Sequence, residues 1–293
     1  MIKDFNHPLY NALELHYPEI PFELTPVHGG DSTESYLINF DDQSKKFVKY
    51  SSKSDAFAAF DAESYGLNLL RETIYYAPKA ETILPTEQGA ALVMEYIPPG
   101  NKSKQDWEAG GILVAKLHQQ YGKIYGFQRD NYIGRLAQLN ETEKDWPTFF
   151  ISKRLEPQIK LALDVGRLSG QSSPTFKHLY KTVELLLPNP QPALLHGDLW
   201  SGNLHFDRNS QPWLIDPCPY YGDPTMDLAM TRLFGGFSER FYQSYYSCLP
   251  PALRDPDSKI MITYQLYYLL VHLNMFGSSY AHAVMNHIHQ IIK

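Results

Sequence analysis

The chain has 293 residues, 43% hydrophobic and 20% charged, which suits one large soluble domain or two lobes with ample core. A formal net charge of −6 gives no footprint for nucleic acid or an anionic membrane surface, so neither is expected as a partner. Two cysteines (Cys218, Cys248) exclude a disulfide framework or a cysteine zinc site, and the start MIKDFNHPLY lacks a signal-peptide apolar run. No stretch is long and apolar enough to span a bilayer, so a cytoplasmic protein is expected.

Residues 1–20 carry a weakly amphipathic helix (Leu9, Leu13, Tyr17) closed by Pro18. A short strand then runs into Gly29-Gly30-Asp31-Ser32, and a second strand, 35–40, leaves it. Such a hairpin lets backbone N–H groups approach phosphate oxygens, although two glycines between strands are more often a plain turn. The strand 46–50 alternates and presents Lys49 on one face, and the Ala-rich helix over 55–70 carries Glu63 near its middle. A strand lysine paired with a helix glutamate is how kinases hold the α- and β-phosphates. Two solvent-exposed charges are the alternative, and the pair is favoured by its order upstream of the motif described below. Residues 90–96 (AALVMEY) read as a buried strand, and Ile97-Pro98-Pro99-Gly100 as a hinge. Backbone groups at Glu95, Tyr96 and Ile97 would meet an adenine edge there.

Beyond the hinge the composition turns helical. Ser103 is placed to cap a helix on which Trp107, Gly110, Val114 and Leu117 share a face, and His118 at its end reads as a packed structural histidine. The stretch FQRDNYIGRLAQLN has the turn residues and mixed polarity of a loop. Helical periodicity resumes over 145–163, and a further helix over 176–187 ends at Pro188.

Residues 194–216, LLHGDLWSGNLHFDRNSQPWLID, are where the chemistry concentrates. Phosphoryl transfer from ATP needs a carboxylate on the acceptor side and oxygen ligands that hold Mg²⁺ on the phosphates. Asp198 fits the first role; Asn203 and Asp216 fit the second, because Mg²⁺ takes a few hard oxygens and fills its other positions with water or phosphate. The H-x-D-x-x-x-x-N spacing is that of a kinase catalytic loop with Gly197 in place of Arg. Strands at 194–195 and 212–215 would form a hairpin returning Asp216 beside Asn203. An ordinary polar hairpin would explain any one of these residues, but not the whole spacing.

Asp227 opens the next helix, where it either braces the catalytic loop through backbone N–H groups or acts only as an N-cap. The segment between Asp216 and Asp227 is too short for a long regulatory activation segment. Residues 259–276 are apolar on more than one face, as in a buried core helix. His287 and His289 would point to different sides of a helix, so no metal site is expected there.

Taken together, these motifs resemble the fructosamine kinase (ketosamine-3-kinase) family, within the aminoglycoside phosphotransferase and choline kinase group. The marks are FVK at Lys49, the Glu63 helix, NYIG (131–134) with Gln138 and Asn140, and DW…FF…RL (145–155). They continue with HGDLWSGN (196–203), DP…YYG (216–222), DLAM (227–230), LFGGF (233–237) and YQLYYLLVHLNMFGSSY (264–280). The resemblance implies an α+β, bilobal protein-kinase-like fold. A small lobe (1–97), with an antiparallel sheet and one helix, would bind ATP; a larger, mainly helical lobe (98–293) would hold the catalytic and substrate sites. It implies ATP- and Mg²⁺-dependent phosphorylation of the sugar 3-hydroxyl of a ketosamine, free or protein-bound, which destabilises the adduct in a deglycation role.

By the same resemblance Asp198 is the catalytic base, Asn203 and Asp216 are the Mg²⁺ ligands, and Lys49 with Glu63 is the phosphate clamp. Gly29, Gly30 and Ser32 would cover the phosphates, His196 and Asp227 would support the catalytic loop, and Tyr221 would face the substrate. Trp200 is either a stacking wall for the sugar or a core filler. The family's usual His-Arg-Glu after YYG is Asp223-Pro224-Thr225 here, closer to the aminoglycoside phosphotransferase pattern. Two other readings stand beside this one: a kinase of the same fold acting on an aminoglycoside, choline or free sugar, and a catalytically silent nucleotide-binding regulator. Oligomeric state is not legible.

Overall fold

The alternation of Lys45–Ser51 decides how the first part of the chain packs. Phe47 and Lys49 point to one side of this strand (β3), Val48 and Tyr50 to the other, because side chains alternate along a strand. Around it lie β1 (Phe22–Val27), β2 (Glu34–Phe40), β4 (Ala80–Pro85) and β5 (Ala90–Glu95), in the order β1-β2-β3-β5-β4. Every neighbouring pair is antiparallel. Val48 and Tyr50 join Leu9 and Leu13 of helix α1 (Pro8–His16) in one core cluster; Phe47 joins Phe60 and Leu67 of helix α2 (Ala56–Ile74) in the other. Full burial of each such side chain contributes about 1.5–3 kcal/mol. The helix expected over 55–70 thus runs one turn further, and β4 is a strand that sequence periodicity did not reveal.

The structure, a computed structural model, describes residues 7–27, 33–100, 103, 106–170, 173–250 and 257–293. The chain divides into two compact units, Met1–Asn101 with Phe206–Asp216, and Lys102–His205 with Pro217–Lys293. The first unit therefore takes back a later hairpin. Within it, Asp207 closes a turn by accepting the backbone N–H groups of Asn209 and Gln211 and the indole N–H of Trp213. Strand β10 (Pro212–Leu214), which follows β9 (Leu204–Phe206), is tethered just past α2. There Leu214 N–H donates to Tyr76 O at 2.9 Å, and the Trp213 ring meets Tyr76 edge-on.

The second unit is mainly helical. Helix α3 (Asp106–His118) is capped reciprocally: Ser103 N–H donates to the Asp106 carboxylate at 2.6 Å, and Asp106 N–H donates back to Ser103 Oγ at 3.4 Å. Where a loop was expected at 127–140, strands β6 (Asn131–Ile133) and β7 (Leu136–Gln138) form a short hairpin turned at Gly134, φ +56°. Its strands are too short for alternation to register. Helix α4 (Trp146–Phe149) passes through a π-helical stretch, Phe150–Leu155, into α5 (Glu156–Asp164). Pro157 has no N–H to offer Lys153 O, and the Arg154 guanidinium takes that carbonyl instead, at 3.0 Å.

Helix α6 (Ser173–Leu186) leads to strand β8 (Ala193–Leu195), which pairs antiparallel with β11 (Tyr220–Gly222). The hairpin expected between 194–195 and 212–215 is therefore not formed: β8 takes a partner beyond Asp216, and β10 belongs to the sheet of β9. Helices α7 (Thr225–Leu233), α8 (Glu239–Ser247), α9 (Ser258–Phe276) and α10 (Ala281–Ile292) complete the unit. Helix α9 is buried over most of its circumference, as its sequence predicts, and packs on α5, α7 and α10. Among the described residues no helix is long and apolar enough to cross a membrane.

Candidate active site

Lys49 is the focus of the first unit. It faces α2, where Glu63 lies between the core residues Phe60 and Leu67, one turn from each. Its Nζ donates to Glu63 Oε1 at 2.6 Å and lies 2.7 Å from Asp216 Oδ1. The lysine is 8% exposed. Burial by itself would lower its pKa, but the two carboxylates, Asp216 foremost, outweigh that and raise it, so the ammonium is held charged. Glu63 is pushed up by burial and by the neighbouring Asp216, against the pull of Lys49. Asp216 occupies left-handed backbone space, φ +54°, an uncommon conformation for a non-glycine residue. The β10 tether past α2 fixes the approach of the chain to this residue.

Other residues expected around a nucleotide are less uniformly placed. Gly29, Gly30 and Ser32 lie outside the described residues. Glu95 ends β5; its N–H donates to Lys79 O, and its carboxylate accepts from the Arg71 guanidinium at 2.7 Å. Tyr96 and Ile97 follow, both half-buried.

The second unit carries His196, Asp198, Trp200 and Asn203 on a loop leaving β8. Buried Leu199 anchors it, which turns Trp200 outward at 44% exposure. The loop is wound tightly: Trp200 N–H donates to Asp198 O, and Asn203 N–H to Trp200 O. The Asn203 side-chain N–H donates to Asp198 O at 2.8 Å, leaving its amide oxygen as the donor atom for a cation. The six-membered ring of Trp200 lies close against Gly202, where a Cβ would strike its outer carbons. Tyr221 is placed elsewhere, its ring against Gly122 and 6.3 Å from Phe127. The expected substrate pair thus has two separate surroundings.

Asp227 is fully buried and accepts His196 N–H at 2.7 Å and Gly197 N–H at 2.9 Å, which braces the loop; the same carboxylate meets His118 Nε2 at 3.1 Å. Burial would raise its pKa, but the hydrogen bond and charge of His118 and the contacts to His196 prevail and hold it below the ordinary carboxylate value. His118 Nδ1 pairs with Tyr245 OH at 2.8 Å. The histidine is packed, as its position on the apolar face of α3 suggests, but its bond to Asp227 had no signal in the sequence because the two are far apart in the chain.

Gly197 has φ +89°, and a Cβ there would overlap the Cys218 carbonyl oxygen and lie 2.8 Å from Cys218 Sγ. Gly197→Ala is expected to cost at least about 1–2 kcal/mol from backbone strain alone, with the overlap added, read as a lowered midpoint in thermal or denaturant unfolding.

Asp223, in the segment that departs from the family pattern, is buried. It accepts Tyr264 OH at 2.6 Å and Thr225 N–H at 2.8 Å, and burial raises its pKa against those bonds.

The model of the family described as fructosamine kinase matches residues 13–293. The chain belongs to the fructosamine kinase family. A relative from Enterococcus faecium named "Probable ketoamine kinase" is 39% identical, over 89% of this chain and 92% of its own length. A protein-ribulosamine 3-kinase of Arabidopsis thaliana, described as chloroplastic, is 34% identical over 84% of this chain and 76% of its own. Among solved structures, a candidate fructosamine-3-kinase from Haemophilus somnus superposes with TM-score 0.84 at 26% identity, covering 98% of this chain and 96% of that one. An aminoglycoside phosphotransferase mutant solved with AMP-PNP and hygromycin B matches with TM-score 0.64 at 12% identity, over 98% of each chain, which is a likeness of fold alone. This member of the fructosamine kinase family thus has a protein-kinase-like α+β fold, with an antiparallel sheet in its first unit and helices dominating its second.

Proposed function

We propose that this chain transfers the γ-phosphoryl group of ATP to the sugar 3-hydroxyl of a ketosamine, a fructosamine or ribulosamine attached to a small amine or a protein. The observation that carries the reading is the buried Lys49 ammonium on Glu63 and Asp216 in a chain that matches the fructosamine kinase family from residue 13 to 293. A catalytically silent regulator would have no need to hold these three charges together at burial cost.

In this account residues 1–97 serve the nucleotide and residues 98–293 the catalytic and acceptor functions. Lys49 neutralises the α- and β-phosphates, with Glu63 fixing its ammonium. Gly29, Gly30 and Ser32 offer backbone and hydroxyl donors to phosphate oxygens. Glu95, Tyr96 and Ile97 meet the adenine; because the Glu95 N–H is spent on Lys79 O, its carbonyl is the group for the exocyclic amine. Asn203 and Asp216 supply an amide oxygen and a carboxylate, a donor set suited to Mg²⁺, which neutralises charge on the transferring phosphoryl group when bound. Asp198 accepts the proton of the attacking 3-hydroxyl as its oxygen bonds to the γ-phosphorus and ADP departs. Exposed Trp200 offers its indole face to the sugar ring, Tyr221 serves as a further substrate residue, and Asp227 with His196 holds the loop in shape.

Lys49→Met would leave two carboxylates without their cation. Its kcat/KM for ATP is expected to fall roughly 100-fold or more, equivalent to about 3 kcal/mol, in steady-state assays with ATP varied.

The substrate class is tested by ADP release with MgATP and N-substituted fructosamine, ribulosamine, choline, kanamycin or free fructose. Turnover on the ketosamines alone supports the proposal. Turnover confined to another acceptor would overturn it.

A further inference from the structure

Pro217-Cys218-Pro219 follows Asp216 directly, and it is poorly equipped to hold itself in place. Neither proline has an N–H, so the segment has one backbone donor, Cys218 N–H, and that goes to His196 O at 2.9 Å. Its buried carbonyls need donors from elsewhere, since a buried unpaired carbonyl is costly.

The hairpin β6–β7 supplies them. Its register sets Asn131 directly opposite Gln138, and both side chains are buried. Asn131 Nδ2 donates to Pro219 O at 2.9 Å; Gln138 Nε2 donates to Cys218 O at 3.2 Å and to Asn131 Oδ1 at 2.8 Å. Both amide hydrogens of Gln138 are thereby used. The Cys218 carbonyl can only accept, which sets the NH2 end of the amide toward it, and the Gln138 oxygen then accepts the Tyr267 hydroxyl at 2.6 Å. The next residue of α9, Tyr268, donates to Gly197 O at 3.2 Å. Consecutive tyrosines of a core helix thus hold the two segments: one grips the catalytic loop directly, the other grips the Cys218 segment through Gln138.

We propose that the Asn131–Gln138 pair positions the Cys218 segment, which leads directly out of Asp216, against the catalytic loop, with Gln138 as its central positioning residue. The NYIG hairpin then has a defined role. Gly134 makes the turn, and the two amides brought opposite each other replace the donors that the prolines lack. The inference rests on the kinase reading above. It concerns placement of the groups around the transferring phosphoryl, not binding of the acceptor.

A small misplacement of reacting groups costs rate before it costs fold; about 1 Å can cost on the order of 100-fold. Gln138→Leu keeps the volume and removes both donors, and Tyr267→Phe removes only the hydroxyl that orients the amide. The full chain and both variants would be assayed for kcat and KM on fructosamine, for MgADP affinity by titration calorimetry, and for thermal midpoint. The expected result is a kcat loss of about 10- to 100-fold in Gln138→Leu and a smaller loss in Tyr267→Phe. Both should show weakened MgADP binding and an unchanged KM for fructosamine. Gln138→Leu combined with Asn131→Ala should lose little more than Gln138→Leu alone, because the two act as one unit. A lowered thermal midpoint with kcat and MgADP affinity intact would overturn the proposal, as would independent, multiplying losses in the double variant. Should Gln138→Leu fail to fold, unchanged kcat and MgADP affinity in Tyr267→Phe would overturn it equally. Absence of fructosamine turnover in the unmodified chain would instead overturn the kinase reading, and MgADP binding would still report on the clamp.

Discussion

Asp198→Asn is expected to lower kcat by about 10²–10⁴-fold while leaving ATP affinity within a few-fold of the unmodified chain. The substitution keeps size and polarity, so the loop that Leu199 anchors and Asn203 closes should persist; Asn203 bonds the Asp198 main-chain oxygen at 2.8 Å, which the change does not touch. What is lost is the carboxylate that accepts the 3-hydroxyl proton as the new P–O bond forms. Because that interaction develops only in the transition state, kcat and kcat/KM should fall together. Single-turnover kinetics alongside nucleotide titration separates the two effects. Turnover near the unmodified rate would remove Asp198 from the mechanism.

Asp227→Ala is expected to be the most destabilising of the single changes considered. The carboxylate accepts His196 N–H, Gly197 N–H and His118 Nε2 in a fully buried position. Removing it strands those donors without water, at a cost of about 3–5 kcal/mol, or roughly 10 °C in thermal midpoint for a chain of this size. Its pH dependence follows from the same contacts. The folded-state pKa lies below the unfolded value, so the stabilisation is fully present above the ordinary carboxylate pKa and is lost as pH falls through the depressed folded value. Asp227→Asn should therefore flatten the acid limb of stability below about pH 4. Thermal midpoints measured across that range read both effects. A variant with unchanged stability and the original acid limb would show that the loop holds its shape without this brace.

Much of this site was legible because its elements are local or strongly patterned. Alternation along 46–50 placed Lys49 on one face, the helix after it carried Glu63, and the structure brings the two within 2.6 Å. Asp227 is different: sequence offered an N-cap or a brace, and only the fold, by burying it beneath His196 and Gly197, distinguishes them. Long-range strand pairing was the weak point. Strand β8 was expected to pair with 212–215 because it lies nearer in the chain, yet it takes β11, and nothing in three-residue strands encodes that choice. For the same reason the β6–β7 hairpin read as a loop. Its Asn and Gln look like exposed loop polars until the two prolines beside Cys218 explain why buried amides are needed there. Nor does the sequence carry a sign that Asp223 is buried under Tyr264.

The position of the transferred phosphate is the most direct test of the mechanism. The chain would be incubated with MgATP and a synthetic N-substituted fructosamine, and the product examined by phosphorus–proton correlation NMR. The expected product is a phosphate ester on the sugar 3-oxygen, formed together with ADP and absent with Asp198→Asn. A phosphate on another hydroxyl, or phosphorylation of the amine carrier in place of the sugar, would contradict it.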